Sequence, residues 1–406
     1  MRNECLPVLF RPPIPALPEM LAEGKAMEVK DYLPQIARDL GIDPKRLAAV
    51  YSSGNLQLVK DHTVPYLRFK REEHDIEEGT VVFLGNRLIY ARGFPKIRRA
   101  MLLRQSLKKH MKGGFQAEEK LDGYNVRTIK LDDLLCLTRK GIICPYTTQH
   151  IKRLLKGNRF FEDNPGLMLC GEVVGLENPY QTKSYPEARD FGYFIFDIRD
   201  RTTGEPVPVK EKNRLLKKYS LPSVHNFGVF TARDSERLLK LVRRLGRDRR
   251  EGLVFKSLDM NQQVKYTANQ STNNDLKYAF KFMFDYGQSF MFRRLVREAF
   301  QAYEFGLSKR QLEKEAGELG RSILIPMVET IKRIASGKET TEDFEISVPD
   351  VESGKSFIEH LKHLGVHATM GRVSKRSGEV IIKVKRHYPS TNDKVKSYLK
   401  GEFCSD

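Results

Sequence analysis

Glu118-Glu119-Lys120-Leu121-Asp122-Gly123-Tyr124-Asn125-Val126-Arg127 decides the reading of this 406-residue chain. The stretch sets a lysine two residues before an aspartate and three before a glycine. Gly123 permits a tight turn there. Tyr124–Leu131 (YNVRTIKL) then alternates apolar and polar residues, as a half-buried strand does. Taken alone, Lys120 and Asp122 read first as solvated charges on an exposed turn; the segments on either side decide otherwise.

Outward from this turn, Leu134–Arg139, Leu167–Gly175, Phe191–Arg199 and Glu251–Ser257 also read as strands, and Leu238–Leu245 as a helix. Upstream lie strand-like Tyr66–Lys70, Thr80–Leu84 and Arg87–Phe94, then a basic helix over Met101–Lys112. The first sixty residues combine a Pro-rich start with helical stretches near Met20–Leu33 and Gln35–Tyr51, the second interrupted by Gly41-Ile42-Asp43-Pro44. After Asn273 apolar residues recur every three or four positions through about Ile334, including a Pro-containing helix at Ser322–Ala335. The last stretch reads as a strand (FEISV), a helix (GKSFIEHLKHLG), a strand (VIIKVKRHY) and a helix near Lys394–Leu399. The expected class is α+β on antiparallel sheet.

Composition narrows the function. A net charge of +19 points to a polyanionic partner, with a surface that is merely basic as the alternative. The five cysteines, Cys5, Cys136, Cys144, Cys170 and Cys404, form no CxxC pair. A zinc ribbon or disulfide scaffold is therefore unsupported, and free thiols in a reducing cytoplasm are expected. No stretch resembles a signal peptide or reaches the length of a membrane span.

Further segments follow the Lys120 stretch in order. Leu137–Gly141 (LTRKG) carries Arg139, Leu169–Gly175 (LCGEVVG) carries Glu172, and Phe191–Arg199 (FGYFIFDIR) carries Phe194 and Phe196. Arg250–Ser257 (REGLVFKS) carries Glu251 and Lys256, and Gln263–Thr267 (QVKYT) carries Lys265. Together with EEKLDGYNVR, these resemble the ordered motifs of the covalent nucleotidyltransferases, the polynucleotide ligases and RNA capping enzymes. The resemblance implies that Lys120 attacks the α-phosphorus of ATP and carries AMP. A lysine with an ordinary pKa near 10.4 is neutral only about one part in a thousand at pH 7, so a neighbouring cation must disfavour its ammonium form. Lys256 and Lys265 are expected to do this while neutralising the α-phosphate. Asp122 is expected to orient Lys120 or hold a metal-bound water, and Phe196, ahead of Phe194, to stack on adenine. Glu172 and Glu251 are expected to hold Mg2+ (or Mn2+) through water or contact the ribose. The fifth motif commonly has two lysines one residue apart; here Tyr266 and Thr267 follow Lys265, which leaves Lys277 as the weaker candidate for the second.

Asn125, five residues after Lys120, and Arg92–Arg99 (RGFPKIRR) resemble RNA ligases. With Leu67–Phe69 and Glu77–Thr80, the pattern is most similar to the archaeal-type ATP-dependent RNA ligases. That resemblance implies an antiparallel-sheet nucleotidyltransferase core, ATP-grasp-like, in four parts. These are an N-terminal accessory region (1–62), a catalytic domain (63–270), a helical dimerisation domain (271–340) and a small α/β C-terminal domain (341–406). It implies a cytoplasmic homodimer acting on single-stranded RNA. Lys96, Glu118, Asn125 and Arg139 join Lys120, Glu172, Phe196, Lys256 and Lys265 as nucleotide-binding candidates. A DNA ligase, a GTP-using capping enzyme and a non-catalytic nucleic-acid-binding protein are the rival readings.

Overall fold

The computed structural model describes residues 28–60, 64–85, 87–177, 185–376 and 378–403. The Pro-rich start, the first part of the helix expected over Met20–Leu33, Cys5 and Cys404 lie outside the described residues. The chain opens with helices α1 (Val29–Leu40) and α2 (Pro44–Ser52). The break falls later than expected at the first helix. Pro34 is accommodated inside α1, and Gly41, in the left-handed region at φ 66°, ends it. Asp43 then caps α2 by accepting from the Arg46 N–H, with Pro44 in the first turn. Strands β1 (Leu56–Val59), β2 (Tyr66–Phe69), β3 (Val81–Phe83) and β4 (Ile89–Ala91) form an antiparallel meander. Its β1–β2 pairing joins the two sides of residue 62 in one sheet.

The central part comprises β5 (Arg98–Arg99), α3 (Leu103–His110), β6 (Phe115–Lys120), β7 (Tyr124–Lys130), β8 (Leu134–Thr138), α4 (Pro145–Leu154), α5 (Phe160–Asp163), β9 (Leu167–Val174), β10 (Gly192–Asp200), α6 (Val209–Lys218), β11 (Asn226–Phe230), α7 (Ser235–Arg247), β12 (Gly252–Ser257) and β13 (Gln263–Thr267). These strands make two sheets, ordered β11-β6-β12-β13-β5 and β10-β9-β7-β8. All pairings are antiparallel except β13 with β5.

Period-2 alternation sorts the first of these sheets. Phe115, Ala117, Leu253, Phe255, Val264 and Tyr266 point to one face and pack with Leu103 and Leu107 of α3 and Leu238 and Val242 of α7. The registers Glu118↔Val254, Lys120↔Gly252, Lys265↔Val254 and Arg99↔Lys265 put Glu118, Lys120, Lys256, Lys265 and Arg99 on the other face. In the second sheet Asn125 pairs with Glu172, which pairs with Phe194. A bulge between Ile195 and Asp197 makes Phe196 the extra residue and moves Asp197 onto the Glu172 face. The loop Leu121–Gly123 carries the chain from one sheet to the other. Glycine is needed at 123 because of close approach rather than for a left-handed backbone. A Cβ there would lie 2.0 Å from the Val173 carbonyl oxygen.

Downstream, α8 (Asn269–Lys281), α9 (Gln288–Glu304) and α10 (Lys309–Ala335, containing Pro326) form a helical layer. It is tied back to the central sheet by the Glu304 carboxylate, which accepts from Tyr266 Oη at 2.8 Å and from the Leu103 and Arg104 N–H groups that begin α3. Then come β14 (Thr341–Val348), α11 (Val351–His363), β15 (Ala368–Arg376), β16 (Glu379–His387) and α12 (Pro389–Leu399). The sheet β14-β16-β15 packs its apolar face on Phe357 and Leu361 of α11. This unit sits against α4 through Tyr146, a Gln149–Ser353 hydrogen bond of 3.1 Å and the Arg153–Glu379 ion pair.

Replacing Gly123 with Ala forces the turn away from β9. Overpacking of this kind should cost about 1–3 kcal/mol. Thermal unfolding checks this, and an unchanged midpoint would mean the turn yields freely.

Candidate active site

The two central sheets face each other across a cleft of about 480 Å³, a size suited to a small ligand. Glu118, Lys120, Val254, Lys256 and Lys265 come from the first sheet and its turn. Asn125, Thr138, Arg139, Glu172 and Phe196 come from the second. Leu364 and Val366, from the segment between α11 and β15, close one side.

Lys120 is largely buried, and its Nζ donates to Glu251 Oε2 at 2.6 Å. Burial alone would lower the Lys120 pKa, but Glu251 and Glu172 raise it above the ordinary lysine value. Burial brings Glu172 up to about 7 although Lys120 opposes it, and burial likewise raises Glu251. Burial, with Arg99, Lys120 and Arg139 nearby, brings Lys265 down to about 8. The expected direction is thus reversed in this structure. Lys120 helps push Lys265 down, while at Lys120 itself the attraction of Glu251 and Glu172 outweighs burial.

Beneath the cleft lies a buried cluster of charges. Lys256 Nζ is 2.7 Å from Glu118 Oε2 and donates to Asp197 Oδ1 and to the Phe196 carbonyl, both at 2.6 Å. Lys212 of α6 also pairs with Glu118 and donates to the Phe196 carbonyl at 2.9 Å. Arg199 lies 3.4 Å from Asp197. Burial alone would raise the pKa of both carboxylates, yet Lys256 first, then Lys212 for Glu118 and Arg199 for Asp197, take them below the ordinary range.

The remaining expected residues are spread around the cleft. Phe196 lines it, 5.2 Å edge-on from Phe94, whereas Phe194 packs with Leu121, Val174 and Tyr185 outside the lining. Asn125 Oδ1 is buried and accepts no hydrogen bond from the described residues, so a ligand donor has an acceptor waiting. The Asp122 N–H donates to Tyr185 Oη, and the Gly123 N–H to Glu172. Arg139 is exposed and lines both the cleft and an adjoining acidic pocket. Lys96 lies in that second pocket, paired with Glu72 at 2.8 Å, and is not brought beside Lys120. Lys277 is exposed on α8 and lines neither pocket.

Sequence reasoning missed Lys212, Asp197, Arg99, Leu364 and Val366. Two left a signal. Asp197 interrupts an apolar strand, and Lys212 occupies the apolar stripe of α6 between Val209 and Leu215. Nothing local distinguishes Arg99 or the two apolar residues.

Comparisons with known proteins agree with this geometry. The RNA ligase family model matches residues 113–279, and the model for the ligase Pab1020 C-terminal region matches 278–402. A solved archaeal ATP-dependent RNA ligase superposes with TM-score 0.87 at 39% identity, over 92% of this chain and 99% of that one. A second form of such a ligase gives 0.87 at 38% with the same coverage. An Aquifex aeolicus structure described as an ATP-dependent DNA ligase gives 0.83 at 27%, over 89% of this chain and all of that one. An uncharacterised protein of Methanocaldococcus jannaschii is 38% identical over 387 residues, 92% of this chain and 98% of its own. The fold and the cleft are those of an ATP-dependent ligase. The chain belongs to the archaeal-type ATP-dependent RNA ligase family.

Lys265 has a pH consequence. Its pKa is lowered, so its ammonium is present below about 8 and lost above. Affinity for an ATP analogue with an uncleavable α–β bridge should fall on the order of tenfold from pH 7.5 to 9.5. Calorimetry on Lys265→Met should give weaker binding without that slope; a retained slope assigns it to another group.

Proposed function

We propose that this ligase seals 5′-phosphate to 3′-hydroxyl ends of single-stranded RNA through a Lys120–AMP intermediate. The observation that carries this is Lys120 itself, a lysine at the mouth of a sheet-to-sheet turn, beside two carboxylates and on the same sheet face as Lys256 and Lys265. In the first step Lys120 Nζ bonds to the α-phosphorus of ATP, the α–β bridging P–O bond breaks, and pyrophosphate leaves. Glu251 is the nearest base for the ammonium proton. In the second step an RNA 5′-phosphate oxygen takes AMP from Lys120. In the third an RNA 3′-hydroxyl attacks that 5′-phosphorus and AMP departs. Positioning and charge neutralisation dominate such phosphoryl transfers.

The roles follow from placement. Lys256 and Lys265 neutralise the α-phosphate, Phe196 stacks on the base, Asn125 accepts from the nucleoside, and Arg139 faces the ribose or an RNA phosphate. Asp122 orients the turn that bears Lys120. Glu118 forms the cleft floor, and Lys96 meets the outer phosphates from the adjoining pocket. No group of three or more candidate metal ligands gathers among the described residues. Glu172 and Glu251, two desolvated carboxylates of raised pKa, suit a hard ion that keeps water and phosphate oxygens as its other ligands. They would hold Mg2+, or Mn2+, through water. Bound there with ATP, the ion would offset phosphate charge and disfavour the Lys120 ammonium.

Partners follow too. The +19 charge suits an RNA backbone. Phe292, Tyr303, Leu324 and Ile325 are exposed on α9 and α10 and suit a homodimer contact. No helix of the described residues is long and apolar enough to cross a membrane; a cytoplasmic location fits the buried thiols of Cys136, Cys144 and Cys170. The four-part division at residues 62, 270 and 340 is the working map for truncations.

Incubation with α-labelled ATP or GTP and Mg2+, then with 5′-phosphorylated RNA, tests the reading. ATP alone should label the protein, Lys120→Ala should take no label, and the RNA should become joined or circular. Label retained by Lys120→Ala sinks the nucleophile assignment. Sealing of nicked DNA in place of RNA would favour the second reading, to which the Aquifex similarity points. Sedimentation should give a dimer at micromolar concentration; a monomer removes that contact.

A further inference from the structure

We infer that Lys212 is a positioning residue that frees Lys256 for the nucleotide. By holding Glu118 and the Phe196 carbonyl, it lets the Lys256 ammonium leave the cleft floor for the α-phosphate without stranding a buried carboxylate. The inference rests on the lysyl-AMP reading above.

Lys256 is held to the cleft floor by three groups. Its ammonium donates to Asp197 Oδ1 and the Phe196 carbonyl, both at 2.6 Å, and is ion-paired with Glu118 Oε2 at 2.7 Å. An ammonium held by two carboxylates and a carbonyl is engaged by the cleft floor. Serving the phosphate requires leaving, and leaving a buried carboxylate unpaired is severely unfavourable.

Each acceptor, however, has a second partner. Glu118 keeps Lys212 and the Gln116 amide, both on Oε1. Asp197 keeps Arg199 and the Gln263 amide, both at 3.4 Å on Oδ2. The Phe196 carbonyl keeps Lys212 at 2.9 Å. The charges tell the same story. Two carboxylates face three cations, so Lys256 is the surplus one, and the four groups that remain are neutral together.

Position separates the two lysines. Lys256 lines the cleft and Lys212 does not. Both side chains are about equally buried. Burial lowers the Lys212 pKa and Lys256 lowers it further, so departure of Lys256 strengthens the hold of Lys212 on Glu118. Lys212 therefore never meets substrate and acts through Lys256.

The test is a double-mutant cycle on full-length protein cleared of AMP with pyrophosphate. Single-turnover labelling by ATP is followed by rapid quench at saturating ATP. Lys212→Met should slow the adenylation rate constant by about tenfold or more, because Lys256 is then the only cation on Glu118. Glu118→Gln removes the charge that needs holding. On that background, adding Lys212→Met should cost less than about threefold. The rate constant is read apart from the labelled fraction, so loss of folded protein alone does not move it. A Lys212→Met rate constant within about twofold of wild type, or an equal loss on both backgrounds, overturns the proposal. If Lys212→Met does not fold, the Glu118→Gln/Lys212→Met pair, which removes opposite charges together, is compared with Glu118→Gln. Near-equal rates support the role and a tenfold deficit rejects it. A wild type that labels while these variants fail the pattern sinks this inference alone. A wild type cleared of AMP that never labels sinks the lysyl-AMP reading and this inference with it.

Discussion

The structure depends on the ion cluster that joins the two central sheets. Glu118 and Lys256 come from one sheet, Asp197 and Arg199 from the other, and Lys212 from the helix between them. Such charges are costly to bury, and removing one partner from a buried pair typically costs about 3–5 kcal/mol. The cluster is therefore poor at adding stability and good at fixing one arrangement. The sheets meet only where the counts of charge and the donor geometry agree, and the cleft is the space left above that seam.

Everything reactive in the cleft inherits its place from that seam through strand periodicity. Alternation on β6 and β12 sends phenyl and aliphatic groups into the core and Glu118, Lys120 and Lys256 out of it. In the facing sheet a single inserted residue, Phe196, delivers an aromatic wall and turns Asp197 toward the seam. Arg127, at the end of the same stretch that bears Lys120, is fully buried and donates to carbonyls of Gly79 and Thr138. It holds the outer meander to the core.

This explains what was legible in advance. The strands of the core were readable because one face is wet and one is dry, and Lys120, Glu172, Glu251, Lys256 and Lys265 stood on or beside strands in a recognisable order. Strand β15 was not readable. All but Ala368 of its residues are exposed on a sheet edge, so no alternation marks it. The break between α1 and α2 was recognisable from Gly41 and Asp43, while the extent of α1 was not, since Pro34 suggested an earlier stop. Which pocket Lys96 enters was not legible, because only the path of the loop after β4 puts it beside Glu72 in the neighbouring acidic pocket. The pull of Glu251 on Lys120 was not legible because spacing along a chain carries no distance between the two.

Leu364 and Val366 give the cleft part of its apolar wall from about a hundred residues beyond the last core strand. The cleft is consequently not the property of the central sheets alone. A minimal enzyme cut after β13 would keep every charged residue and lose a wall. Its cleft would be open to water on that side, and water competes for each hydrogen bond made there. Modularity in this chain is thus asymmetric: the tail is grafted onto the engine, yet the engine borrows part of its casing from the tail.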